Sequence, residues 1–117
     1  MQPSSQPSGF FLIEFSALQA GLGGVVAIDG TRVTGGNGPH LFSGTLDFSG
    51  EQVTATMRVK PVSNFAESVF GTVGYAFDLT LSGTVSADGF LLTGKSPIPS
   101  GPPVSVKGTK IAELDLQ

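Results

Sequence analysis

The segment from Gly21 to Gly38, GLGGVVAIDGTRVTGGNG, decides the fold. Two runs that are rich in β-branched residues, GVVAI and TRVTG, flank the pair Asp29-Gly30. An Asp-Gly pair between two such runs is a strong hairpin signal, because both central positions of the turn favour positive φ. The segment therefore predicts a β-hairpin, and GGNGP (35–39) predicts the turn that follows it.

The same glycines could instead cradle a phosphate group. A dinucleotide-binding loop needs G-x-G-x-x-G between a strand and a helix, and GLGGVV (21–26) has valine at the third glycine position. The residues that follow are β-branched, so no helix N-terminus is available to bind an anion. We therefore interpret these glycines as parts of turns, bulges and bends.

Alternation of apolar and polar residues recurs along the rest of the chain. It is clearest in VTATMRV (53–59), where Val53, Ala55, Met57 and Val59 face one side. Similar runs predict further strands, with turn signals about every 8–12 residues. These runs are FFLIEFS (10–16), HLFSGTLDFSG (40–50), YAFDLTLSG (75–83), TVSADGFLLTG (84–94, a second hairpin) and VSVKGTKIAEL (104–114).

Particular residues within these runs carry finer predictions. Gly44 predicts a bend in its strand or a close approach of another backbone segment. Tyr75 begins an inward-facing set that continues with Phe77. The pair Asp88-Gly89 predicts the turn of the second hairpin, and Gly108 predicts a bulge in the last strand.

About eight strands joined by short links favour sequential up-and-down order. Such a meander removes its exposed edges by closing into a barrel. We therefore expect an all-β protein, a small antiparallel up-and-down barrel. One short helix is predicted at Phe65–Phe70, since Asn64 and Glu67 have the spacing of a capping box and Gly71 can end the helix.

The domain boundaries follow from composition. Residues 1–8, MQPSSQPS, are rich in Pro, Ser and Gln and predict a disordered leader, and residues 9–117 predict a single β-barrel domain. The leader has neither the basic nor the apolar region of a signal peptide. No apolar run approaches the ~18 residues of a membrane span. The Pro-rich segment 95–103 cannot form a strand.

Charge and cysteine content exclude several classes of function. The net charge is −3 and the six basic residues are scattered, which disfavours direct nucleic-acid binding. The chain has no cysteine, so disulfides, thiolate catalysis and Cys-ligated zinc are excluded. This absence is consistent with a reducing cytoplasm, where we expect the protein to act.

Polar residues do not form a recognisable catalytic set. His40 is the only histidine, and Ser43, three residues on in the same strand, would point to the opposite face. We expect His40 to lie at the surface or the rim. Asp47 and Asp78 occupy outward positions, and no acidic group has the spacing of a calcium or zinc site. We therefore predict no enzymatic activity, no cofactor and no metal.

The inward-facing apolar residues form either a filled core or the lining of a cavity. At eight strands a barrel interior is filled by side chains or holds one small ligand. Small inward residues such as Gly44 and Ala55 would leave room for a ligand. The candidate lining residues are Phe11, Ile13, Phe15, Phe42, Leu46, Met57, Phe77, Leu79, Leu81 and Leu92.

An ordered set of motifs resembles the GrlR-like family of small negative regulators of type III secretion. The motifs are GFFLIEF, GLGGVVAIDGTRVTGG, LFSGTL, VTATMRV, ESVFG, DLTLSG, FLLTG and KIAEL, and they extend from Gly9 to Leu114. The resemblance implies a lipocalin-like barrel with a short helix, a hydrophobic interior and a homodimeric state. It also implies a bacterial protein that regulates gene expression by binding a transcriptional activator.

The hairpin that binds the activator in that family carries a run of acidic residues. In this chain the corresponding segment reads DFSGEQ, with only Asp47 and Glu51 as candidate partner contacts. The resemblance to the GrlR-like family therefore supports the predicted fold more strongly than the predicted partner. Two functions follow as hypotheses: a dimeric protein that binds and restrains a transcriptional regulator, or a carrier or sensor of a small apolar ligand inside the barrel.

Overall fold

The structure, a computed structural model, describes residues 7–16, 20–63, 75–97 and 101–117. Eight antiparallel strands follow one another around a closed barrel, and the last pairs with the first. The strands are β1 (Gly9–Ser16), β2 (Ala20–Asp29), β3 (Arg32–Gly36), β4 (His40–Ser49), β5 (Gln52–Pro61), β6 (Phe77–Ser86), β7 (Gly89–Gly94) and β8 (Val104–Ala112).

The predicted all-β, up-and-down barrel is confirmed. No helix occurs among the described residues, and the helix predicted at Phe65–Phe70 lies outside them. Over the same part of the chain, no helix is long and apolar enough to cross a membrane.

Two-residue turns join three of the strand pairs. Asp29 pairs with Arg32, so the first hairpin turns at residues 30–31 rather than at Asp29-Gly30. Gly30 has a φ of 63°, and Gly50 holds the equivalent position in the β4–β5 turn with a φ of 64°. Glycine adopts this left-handed conformation without the steric cost that other residues meet. The β6–β7 turn lies at residues 87–88, so the prediction of Asp88-Gly89 was also displaced by one residue.

Two bulges adjust the ladders on either side of β1. In β2, Gly23 is the extra residue, because Ile13 pairs with Gly24 and Glu14 pairs with Leu22. In β8 the extra residue is Ile111, and the bulge predicted at Gly108 is wrong. Gly108 serves packing instead, since a Cβ there would overlap the ring of Phe90.

The two ends of the barrel differ. The three two-residue turns, the start of β1 and the end of β8 lie at one end, which we call the turn end. The strand ends that are joined by the longer connections lie at the other end, which we call the loop end. Strand β4 begins with His40 at the loop end.

A single apolar core fills much of the barrel. Phe11 is fully buried, and its ring centroid lies 5.6 Å from that of Phe90. The alternation predicted for β5 is confirmed, with Val53, Ala55 and Val59 buried. Tyr75 departs from prediction: it lies outside β6, which begins at Phe77, and is 53% exposed.

Candidate functional sites in the interior and on an outer face

The barrel encloses a cavity lined only by apolar residues. Eighteen side chains from all eight strands and the segment before β1 line it. The cavity has a volume of about 60 Å³. The interior is therefore neither a fully filled core nor a pocket of roughly 300–1,000 Å³, the size that binds a drug-sized ligand.

Eight of the ten predicted lining residues line this cavity, whereas Phe11 and Phe77 are buried outside it. The prediction missed several valines, although period-two alternation was a signal for most of them. It also missed Pro7, which was placed in the leader and is buried against the cavity. Val53, Ala55 and Val59 were predicted to face inward but were not among the candidate lining residues. The lining residues outside the candidate set are Pro7, Val26, Ile28, Val33, Val53, Ala55, Val59, Val85, Phe90 and Val106.

His40 lies at the rim of the barrel, where β4 begins at the loop end, which is one of the two places expected for it, but it is buried there and only 3% of it is accessible. It shares the inward face of β4 with Phe42, whereas Ser43 is exposed on the other face as predicted. Its backbone N–H donates to Asn37 Oδ1 at 2.8 Å, and Asn37 Nδ2 donates to the Gly23 carbonyl at 3.3 Å. Asn37 thus ties the β3–β4 turn to the bulge of β2.

Burial lowers the pKa of His40 below its ordinary value of 6.5. In the unfolded chain the imidazole keeps the ordinary pKa. At a pH between the pKa of the folded state and that of the unfolded state, the unfolded state therefore binds more protons than the folded state. The stabilising effect of the neutral imidazole is therefore complete above about pH 6.5 and is lost as the pH falls toward the lowered pKa.

We expect the free energy of unfolding to decrease between about pH 7.5 and about pH 5.5, a range above the titration of ordinary carboxyl groups. The variant His40→Asn should lack this decrease. Urea unfolding of both proteins at several pH values measures it. Parallel pH profiles for the two proteins would show that His40 is not the group responsible.

A second candidate site lies on the outside of the barrel. Leu12 pairs with Val25, Val25 pairs with Gly36, and Gly36 pairs with Leu41. These four uncharged residues form a row across strands β1 to β4. Leu41 is 55% exposed, and Ile111, in the bulge of β8, is 54% exposed. We call this surface the apolar outer face and define it by Phe10, Leu12, Val25, Ala27, Leu41 and Ile111.

Charged side chains surround the apolar outer face. Glu14 and Lys107 form a cross-strand pair toward the loop end, and Asp29 and Arg32 form one at the turn end. Lys60 pairs with Leu41 and is exposed beside it on β5. An apolar centre with a polar, solvent-accessible rim is the usual arrangement of a protein–protein interface.

The candidate partner contacts lie elsewhere. Asp47 is exposed on β4 and Glu51 is exposed in the β4–β5 turn, so the structure places both on one hairpin at the turn end. Both side chains are exposed, and neither is a member of the cavity lining or of the apolar outer face. Among the described residues, no group of three or more His, Cys, Asp or Glu side chains is placed to hold a metal ion.

No model of a protein family matches the chain. No curated protein matches its sequence. The resemblance to the GrlR-like family therefore stays a prediction from the motifs.

Proposed function

We propose that this chain is a non-enzymatic interaction protein of the cytoplasm, which works as a homodimer with its two barrels in contact through their apolar outer faces. The observation that carries the proposal is the row from Leu12 through Val25 to Leu41, which presents apolar side chains to solvent without interruption by charge. Monomeric proteins rarely leave a large contiguous apolar patch exposed, and such patches mark interaction sites.

A second copy of the chain is the occupant that the composition of this face favours. In a two-fold dimer the same patch is used by both subunits, so it must be compatible with itself. Because the centre of the apolar outer face is uncharged, two copies can pack against each other without burying like charges. The charged residues around the face then stay hydrated. A stable interface needs about 800 Å² from each partner, roughly an eighth of the 6548 Å² surface of this chain. A face that extends over β8, β1, β2, β3 and β4 can supply that share.

The dimer proposal predicts that Leu41→Glu separates the subunits. Dimer formation would bury the new carboxylate without a partner, at a cost of about 2 kcal/mol or more, so the dissociation constant should rise by about 30-fold. Size-exclusion chromatography with light scattering over a range of concentrations measures the change. The wild-type protein should have twice the chain mass of 11.9 kDa.

Leu91→Glu is the matched control. Leu91 is 52% exposed, but it lies on β7, separated from the apolar outer face by Lys107 of β8. The substitution adds the same charge at the same exposure and should leave the dimer intact. A wild-type mass of 11.9 kDa at all concentrations, or equal dissociation by both variants, would contradict the proposal.

The regulatory part of the proposal rests on the resemblance to the GrlR-like family. We propose that the dimer binds a transcriptional regulator and thereby restrains gene expression of the type III secretion kind. The exposed carboxylates of Asp47 and Glu51 on one hairpin support a role in partner contact, because accessible charges at an interface rim set specificity and association rate.

Affinity capture from a native lysate tests partner binding. The wild-type protein should retain a DNA-binding regulator, identified by mass spectrometry, and the double variant Asp47→Asn with Glu51→Gln should not. Asp88→Asn, an exposed carboxylate in the β6–β7 turn, is the control and should retain the regulator. Capture of no regulator by the folded wild-type dimer would refute the regulatory role while leaving dimerisation as a separate result.

A further inference from the structure

The internal cavity offers a ligand no hydrogen-bonding partner. Within the part of the chain that the structure describes, every residue that lines it is apolar. The main-chain groups of the surrounding strands are used in the ladders that close the barrel. His40, the one buried polar residue among the described residues, does not line the cavity. A ligand with a hydroxyl group or a charge would therefore be buried there without a partner, at a high cost.

The volume of the cavity limits the size of a ligand. An apolar cavity that binds benzene has a volume of about 150 Å³, whereas the cavity of this barrel has about 60 Å³. Because benzene has six carbon atoms, a cavity of this smaller volume holds, in proportion, about two or three. Benzene is therefore too large for the cavity, and a molecule such as propane has the right size.

Inward-facing glycines and aromatic rings keep the cavity small. Gly44 of β4 and Gly83 of β6 lie on the inward faces of their strands. A Cβ at either position would overlap a main-chain carbonyl oxygen of the next strand, so the strands lie close together there. The rings of Phe15 and Phe42, which both line the cavity, meet edge-on with their centroids 5.9 Å apart. These backbone contacts and packed rings limit how far the cavity can expand to accept a larger ligand.

We propose that the cavity binds one small non-polar molecule, a hydrocarbon of about two or three carbon atoms without any hydrogen-bonding group. Ala55 and Met57 of β5 and Phe42 of β4 are among the side chains that contact it. Burial of apolar surface drives the binding, so no polar partner is needed. The site lies inside the barrel, apart from the apolar outer face, and goes beyond the proposed function.

Titration of the full chain with propane, ethanol and benzene tests the proposal. Ethanol is propane with one methyl group replaced by a hydroxyl group, and benzene is apolar but larger. Under a pressure of propane, the methyl NMR signals of Ala55 and Met57 should shift, and those of Leu91, exposed on β7, should not. Half-saturation is expected on the order of 10 mM, because only about three methylene-sized groups are buried.

Ethanol at the same concentration and a saturated solution of benzene should leave these signals unchanged. Equal affinity for propane and ethanol would show that polarity does not select the ligand. Binding of benzene by the wild-type protein would show that size does not select it. Either result, or the absence of a shift at Ala55 and Met57 with propane, would overturn the proposal.

Variants of the lining separate binding in the cavity from binding at the surface. Ala55→Leu fills the cavity and should abolish the shift of the Met57 methyl signal with propane, whereas Thr56→Val, on the exposed side of the same strand, should preserve it. If Ala55→Leu does not fold, Val26→Ile adds a single methylene group to the lining and should weaken the binding of propane by about fourfold. Unchanged affinity for propane in a folded variant with a filled cavity would overturn the proposal.

The dimer variant separates this proposal from the proposed function. Leu41 is exposed on the outside of β4 and does not line the cavity. Leu41→Glu should therefore bind propane with the affinity of the wild-type protein, whether or not the subunits separate. Loss of propane binding in folded Leu41→Glu would place the ligand at the apolar outer face and overturn the assignment to the cavity.

Discussion

Replacement of Phe11 by alanine is expected to lower the free energy of unfolding by about 3 to 5 kcal/mol. Phe11 is fully buried, pairs with Val26 of β2 and Lys110 of β8, and packs against the ring of Phe90. Its removal leaves a void where the first and last strands close the barrel. Such a void is costly because close-packed neighbours relax only in part. Urea unfolding measures the loss.

Phe10→Ala is the matched control for this prediction. Phe10 is the adjacent residue of the same type, but it lies on the outside of β1 and is only partly buried. At a concentration low enough to keep the chains apart, its replacement should cost clearly less than that of Phe11. Equal losses for the two variants would mean that the inward and outward faces of β1 are misassigned.

The second large effect is expected for Gly44→Ala, with a loss of about 3 kcal/mol. A Cβ at this position would overlap the carbonyl oxygen of Thr56 and come within 2.9 Å of Met57 Cα. Both contacts are with the backbone of β5, so rotation of a side chain cannot relieve them. Of the two predictions for Gly44, the structure confirms the close backbone approach, which is made by β4 and β5.

Gly38→Ala is the control for Gly44→Ala. Gly38 is exposed in the β3–β4 turn, and a Cβ there would have no neighbour within 4 Å. Its backbone does not require positive φ. The substitution should change the free energy of unfolding by no more than about 0.5 kcal/mol. Thermal or urea unfolding measures the free energy of unfolding of both variants. A similar loss for both would argue against the contact between β4 and β5 as the cause.

Much of the barrel could be predicted from local sequence, because strand and turn signals are local. Alternation in VTATMRV assigned Val53, Ala55 and Val59 to the interior. The glycines at 30 and 50 marked turns whose exact centres depend on register, and register is set by pairing between strands. That dependence explains why the turns at 30–31 and 87–88 are each displaced by one residue from their predicted places.

The candidate sites were predicted less completely, because they combine residues that are distant in the chain. Pro7 lines the cavity, although the composition of residues 1–8 predicted only a disordered leader. His40 is buried because β4 starts on the inward side at the loop end, a fact of register that a single histidine beside a turn does not reveal. The apolar outer face joins Ile111 to Phe10 through the closure of β8 on β1.

The amino-acid sequence by itself determined the strands, their faces and their order, since side chains in a strand alternate with period two and short links keep successive strands adjacent. Only the tertiary structure decided the size of the cavity, the burial of His40 and the continuity of the apolar outer face. The volume left inside a barrel depends on how all inward side chains pack together, and an outer surface depends on which strands meet when the barrel closes. Neither property belongs to any one segment of the chain.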